Sequence, residues 1–203
     1  MRNNIVHEGA HELQYEIREI VAVGNNLKDM GLDVCWENIG DPVLKGEKIP
    51  AWIKGVIKDA VDIDSSFAYS PTKGLDETRA FLAEICNKRK KVQITEEDII
   101  FFNGIGDAIS KVYNYLRREA RVIGPSPAYS SHSSTEAAHA GEDHIMYILD
   151  PENNWLPDID DLRSKIQNDK SISGILMINP NNPTGTVYSR EVMEEVVRIA
   201  EEF

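Results

Sequence analysis

Cysteine is scarce in this chain. Cys35 and Cys86 are the two present in 203 residues. They lie far apart in no Cys-x-x-Cys spacing, which leaves neither a disulfide framework nor a thiolate metal site and fits a reducing compartment. Histidine offers no metal site either. His132 and His139 fall seven apart and share a helix face, but no cysteine or acidic pair completes a ligand set. Long apolar runs are absent, and the N-terminus has no basic-then-apolar leader, so no membrane association is expected and the cytoplasm is the expected location. Basic charge is outnumbered, 22 Lys and Arg against 34 Asp and Glu, for a net −12. That balance argues against nonspecific binding to nucleic acid or anionic membrane. The local basic runs, Lys88-Arg89-Lys90-Lys91 and Arg117-Arg118, lie among acids and read as solvated helix ends.

What is present is an alternating pattern. Leu13, Ile17, Ile20, Val21 and Leu27 recur at helical spacing, and Gly31 ends that helix. Residues 34–39 read as extended and run into Gly40-Asp41-Pro42. A second helix is predicted around 49–60, a loop at 69–74, a third helix at 75–90, and a capped polar turn at Thr95-Glu96-Glu97-Asp98. Strands are then predicted at 99–102, 121–123, 144–149 and 174–178. Helices fall between and after them, at 107–118, 129–140, 159–167 and 189–203. Strand and helix in alternation with short connections imply a mostly parallel sheet with helices on both faces, preceded by an N-terminal helical arm. No strand follows the last helix. The unpaired edge reads as part of a larger sheet.

Three strand-to-helix turns carry the chemistry. Asn103-Gly104-Ile105-Gly106-Asp107 follows the first apolar run and opens a helix, where backbone amides and the helix dipole favour an anion such as phosphate. It lacks the third glycine of a dinucleotide fingerprint. Pro125-Ser126-Pro127-Ala128-Tyr129 follows the second strand and places an aromatic ring where it can stack on a planar ligand. Asn179-Pro180-Asn181-Asn182-Pro183-Thr184-Gly185 follows the last strand, rigid in φ and rich in amide donors and acceptors. Ligands of open α/β sheets sit beyond the C-terminal ends of strands, so all three turns face one crevice in this reading.

The third turn resembles the Asn-Pro-x-Asn-Pro-Thr-Gly signature of the class I/II aminotransferases, fold-type I enzymes that use pyridoxal 5′-phosphate (PLP). The resemblance runs along essentially the whole chain. Ile39-Gly40-Asp41-Pro42 is similar to the family's Gly-Asp-Pro segment, which implies Gly40 near the substrate carboxylate. Tyr69, with Ser70, Gly74 and Arg79, resembles the stretch whose tyrosine reaches the cofactor phosphate of a partner subunit. Gly104, Ile105 and Gly106 resemble the loop that cups the phosphate. Tyr129 resembles the aromatic that stacks on the pyridine ring, and Asn182 the asparagine that bonds the phenolic oxygen. The resemblance thus implies PLP as cofactor, an amino acid and a 2-oxo acid as substrates, and a homodimer. It implies residues 1–45 as an N-terminal arm and small-domain segment, and 46–203 as an incomplete PLP-binding large domain.

The chain departs from the pattern at Ile105, where a small residue is common, at Asp107 in place of Glu or Gln, and at Ser130 in place of proline. No lysine here stands in the Schiff-base context, and the segments bearing that lysine, the aspartate for the pyridine nitrogen and the carboxylate-gripping arginines are expected beyond Phe203. An isolated chain of this extent is expected to bind PLP weakly without turnover. A PLP-dependent lyase or decarboxylase of the same fold, and a non-catalytic interaction module built on the open sheet edge, are the alternatives.

Overall fold

The computed structural model describes residues 8–13, 16–36, 40–88 and 93–203. Expectations placed on 37–39, including Ile39, on the basic residues 89–91, and on the side chain of Ile17 lie outside the described residues. The helices are α1 (Glu16–Asp29), α2 (Ala51–Val61), α3 (Asp76–Asn87), α4 (Ile105–Tyr115), α5 (Ser130–Ala140), α6 (Ile159–Asn168) and α7 (Arg190–Glu202). The strands are β1 (Arg121–Ser126), β2 (Met146–Asp150), β3 (Leu156–Pro157) and β4 (Ile172–Ile175). The chain is α/β and divides into two compact units, Met1–Met30 with Asn103–Phe203, and Gly31–Phe102.

The first unit holds the sheet, in the order β3-β2-β1-β4. Strand β1 is parallel to both β2 and β4, and β3 is antiparallel to β2. Residues alternate between buried and half-buried along β1, the period of two that a covered strand requires. Ile123 packs with Leu162 and Ile166 of α6 and Val196 and Ile199 of α7. Val122 and Gly124 line a crevice with Tyr113 of α4 and His132 and Ser133 of α5. Helices therefore cover both faces. The i, i+4 pair Leu162 and Ile166 and the i, i+3 pair Val196 and Ile199 mark the inward stripes of α6 and α7. Both helices start on side-chain caps. Asp158 Oδ1 accepts from Asp161 N at 2.9 Å, and Ser189 Oγ from Val192 N at 3.4 Å.

Two strand assignments differ from the sequence reading. Residues 99–102 pair with no strand among the described residues, and Ile100, Phe101 and Phe102 are 53%, 43% and 38% exposed. An apolar run becomes a strand only beside a neighbour that accepts its ladder hydrogen bonds. Here Phe101 N instead donates to the Lys73 carbonyl at 3.2 Å. Strand β3 was not anticipated. It is two residues long, contains Pro157, and follows a tight turn in which Asn154 and Trp155 have φ of +52° and +59°.

The first unit also buries an ion pair. Arg121 and Glu136 are 6% and 2% exposed. Arg121 Nε donates to Glu136 Oε1 at 2.5 Å and Nη2 to Oε2 at 3.0 Å, a bidentate fork. Its remaining donors reach Glu142 Oε1 and the Asp143 carbonyl, both at 2.6 Å. The fork ties the start of β1 to the middle of α5. A short 3-10 turn at Glu8–Glu12 packs against α5, and Gly9 lies so close that an added Cβ would collide with the Ala138 carbonyl.

The second unit is held locally around Arg79, which is 4% exposed. Its guanidinium donates to the carbonyls of Gly74 and Glu96 and to Asp76 Oδ1. The turn at Thr95 is capped as its sequence implies, with Thr95 N donating to Asp98 Oδ2 at 2.8 Å. Helix α2 has no buried residue, and its Trp52 is 71% exposed.

Removing one partner of a buried pair leaves the other charge uncompensated. Glu136→Gln is expected to cost on the order of 3 kcal/mol of folding stability, the low end for breaking such a pair because Glu142 still holds Arg121. Urea unfolding of the two proteins checks this. A loss below about 1 kcal/mol, the range of an exposed pair, contradicts it.

Candidate cofactor site

Parallel strands end at one edge of a sheet, and β1 and β4 are hydrogen-bonded neighbours. The pairing continues past the end of β4, where Leu176 N donates to the Ile123 carbonyl at 2.9 Å. The segments leaving the two strands therefore emerge side by side. One carries Pro127 and Tyr129, the other Asn179 to Gly185. Peptide bonds Ser126-Pro127, Asn179-Pro180 and Asn182-Pro183 are cis.

A chain of side-chain hydrogen bonds laces these segments. Asn181, 3% exposed, donates through Nδ2 to the Pro127 carbonyl at 3.3 Å and to Thr184 Oγ1 at 3.0 Å. Thr184 Oγ1 donates to Thr186 Oγ1 at 3.2 Å, and Thr186 Oγ1 to the Asn154 carbonyl at 3.0 Å. The turn closes on itself, since Asn181 N donates to the Thr186 carbonyl at 2.9 Å and Gly185 N to the Asn181 carbonyl at 2.7 Å. Its start is pinned by Tyr188 N donating to Asn179 Oδ1 at 2.9 Å. Asn182 sits at the tip of this closed turn with its side chain exposed. The Oδ1 of Asn181 is buried without a hydrogen-bond partner.

Tyr129 is the residue before α5 and is half-buried. The His132 ring meets its ring edge-on, with centroids 6.2 Å apart. Burial pushes the His132 pKa below its ordinary value. Burial likewise raises the Tyr188 phenol, whose hydroxyl is enclosed without a partner.

Helix α4 opens at Gly104, whose φ of +87° a side chain would oppose. Its first intrahelical bond runs from Ala108 N to the Gly104 carbonyl at 3.3 Å. The N–H groups of Ile105, Gly106 and Asp107 thus lie in the first turn, beyond the reach of helical acceptors. A Cβ built at Gly104 or Gly106 meets no atom within 4 Å, so the space beside both glycines is open. Asp107 Oδ2 accepts from Asn103 N at 3.2 Å and fixes the turn into the helix.

The contacts of α4 with α5 give their relative direction. Ser110 and Thr135 line one cavity, and the rings of Tyr113 and His139 lie 5.6 Å apart. His139 Nε2 also lies 3.0 Å from the Arg117 carbonyl just past α4, so the C-terminal ends of these packed helices meet and the helices run the same way. The glycine turn that opens α4 therefore lies at the same end as Tyr129. Gly104, Ile105, Gly106, Tyr129 and Asn182 all belong to the first unit. Gly40 and Tyr69 belong to the second, where Gly40 is exposed and Tyr69 projects wholly into solvent at 105% relative exposure.

Asn181, Thr186 and Asn154 were not singled out from the sequence. Asn181 differs from Asn182 only in being buried, which is a tertiary fact. The sequence signal for the network was the hydroxyl pair Thr184 and Thr186 after the amides. Among the described residues no cluster of His, Cys, Asp and Glu forms a metal site. No helix among them is long and apolar enough to cross a membrane.

The fold is that of the PLP-transferase aminotransferases. The alanine aminotransferase of Pyrococcus furiosus superposes with a TM-score of 0.84 at 30% identity, covering 97% of this chain and 49% of that one. The family described as aminotransferase class I and II matches residues 36–203, and the chain belongs to it. An uncharacterized aminotransferase of Methanocaldococcus jannaschii is 60% identical over 203 residues, which is 100% of this chain and 47% of that protein. The glutamate-pyruvate aminotransferase of Escherichia coli is 31% identical over 189 residues, 92% of this chain and 45% of that protein. The chain spans about half the length of the curated relatives it matches.

Burial of the His132 ring links stability to pH. Its folded pKa lies below the unfolded value of about 6.5, so its contribution is whole above that pH and is lost as pH falls through the folded pKa. Unfolding free energy is expected to fall with pH below about 6.5, by at most about 1.4 kcal/mol per pH unit for one proton. In His132→Gln that part of the slope should vanish. Parallel pH profiles for the two proteins, measured by thermal unfolding, would contradict the assignment.

Proposed function

We propose that this chain supplies the noncovalent part of a PLP site in an aminotransferase that moves an amino group between an amino acid and a 2-oxo acid. The observation that carries the reading is the Asn181 to Pro127 hydrogen bond, which fastens the turn bearing Asn182 beside the segment bearing Tyr129. The donor set fits the cofactor. A phosphate needs several N–H donors and positive potential, which the first turn of α4 offers at Ile105, Gly106 and Asp107. An aromatic ring needs a flat apolar surface, which Tyr129 offers. A phenolic oxygen needs a donor, which the exposed Asn182 amide offers.

In this reading Gly104, Ile105 and Gly106 hold the phosphate through backbone amides, so the bulk of Ile105 is tolerated. Tyr129 would hold the pyridine ring and exclude water from it, and Asn182 would donate to the phenolic oxygen. PLP, when bound, supplies an electron-withdrawing ring that stabilises negative charge on the substrate carbon. Gly40 is assigned to the substrate carboxylate. Tyr69, fully exposed, is assigned to the cofactor phosphate of a second copy in a homodimer. Residues 1–45 are taken as an N-terminal arm and small-domain segment and 46–203 as the cofactor-binding domain of a cytoplasmic enzyme. The similarity to glutamate-pyruvate and alanine aminotransferases makes alanine with 2-oxoglutarate the first substrate pair to assay.

Titration of the 203-residue chain with PLP, followed by absorbance and by quenching of its tryptophans, tests the reading. Asn182→Ala is expected to weaken PLP about tenfold, the equivalent of one good hydrogen bond to a partly charged acceptor. Equal affinity in the two proteins would remove Asn182 from the site.

A further inference from the structure

We infer that Asn181 is a positioning residue, setting the placement of Tyr129 relative to Asn182 through a one-directional hydrogen-bond relay. This rests on the proposed PLP site and deepens it. Both amide hydrogens of Asn181 are used. One goes to the Pro127 carbonyl, two residues before Tyr129, and the other to Thr184 Oγ1, two residues after Asn182. A carbonyl can only accept, so the contact with Pro127 fixes which end of the amide faces it. The direction then propagates. Thr184 Oγ1, already accepting from Asn181 and from Thr186 N at 3.3 Å, donates to Thr186 Oγ1, which donates to the Asn154 carbonyl. The relay thus joins the segments that follow β1, β4 and β2, three strands of one sheet.

Burial raises the stakes. Asn181 is 3% exposed, so water cannot replace a lost partner, and its Oδ1 is already enclosed without one. The side chain is kept for its two donated bonds rather than for solvation. Asn182 is adjacent in sequence but exposed, and no side-chain hydrogen bond of its own holds it within the chain among the described residues. Its position is inherited from the closed turn that Asn181 anchors. A group that contacts a ligand is only as well placed as the shell behind it.

Asn181→Asp keeps the shape but turns a donor into an acceptor facing a carbonyl. Thr184→Val keeps the volume but breaks the relay one step on, and serves if the first variant fails to fold. The 203-residue chain is labelled with 3-fluorotyrosine, the Tyr129 line being assigned by its loss in Tyr129→Phe. Without any ligand, both variants are expected to shift or broaden that line. With ligand, PLP affinity is expected to fall about tenfold, while inorganic phosphate, which needs only the α4 amides, binds as in the parent. An unmoved Tyr129 line overturns the inference whatever PLP does. A parallel loss of PLP binding, phosphate binding and thermal midpoint in both variants also overturns it, because general loosening would then explain everything. Failure of the parent to bind PLP, or Asn182→Ala binding it as tightly, overturns the proposed site instead. The positioning claim is then decided by the Tyr129 line alone.

Discussion

Parallel pairing of β1 with both β2 and β4 is the constraint on which the rest depends. Parallel neighbours end at a common edge, so the segments leaving β1, β2 and β4 are delivered to one place by geometry alone. Each return to the opposite end needs a crossover, which α5 and α6 provide, and the crossovers bring the apolar stripes that cover the sheet. Ile123 at the centre of β1 touches the cluster built by α6 and α7. Arg121, at the start of the same strand, is bonded to Glu136 of α5. A single strand thus carries a residue of the apolar core and a partner of the buried ion pair.

Most of the architecture was legible because it follows from periodicity. The helices predicted at 159–167 and 189–203 and the capped turn at Thr95 are local signals with local outcomes. The misreadings are those where a partner decides. Residues 99–102 have the composition of a strand but no neighbour to pair with among the described residues. Strand β3 has the composition of a loop yet pairs, because the turn at Asn154 and Trp155 folds it back along β2. Strand formation is decided between segments, whereas helix formation is largely decided within one.

The candidate site divides in the same way. Tyr129 and the Asn182 turn do follow β1 and β4, as the edge rule implies, whereas the glycine turn follows residues 99–102, which pair with no strand among the described residues. The relay through Asn181, Thr184 and Thr186 was not legible, because its termini lie 54 and 32 residues away along the chain. Two adjacent asparagines carry opposite tasks here, one facing inward to hold the turn and one outward at its tip. Membership of the class I and II aminotransferases accounts for why these turns occur in this order. It does not separate the roles of the two amides, which burial does.

The contact of Gly9 with α5 has a consequence for how the sequence can drift. The backbone at Gly9 approaches the Ala138 carbonyl too closely for any side chain, and Ala137 and Ala138 are themselves buried. Enlarging either surface requires the other to retreat, and α5 cannot retreat without dragging Glu136 from Arg121 and shifting Tyr129, the residue that precedes the helix. A residue near the beginning of the chain and a helix more than a hundred positions later therefore constrain each other's size.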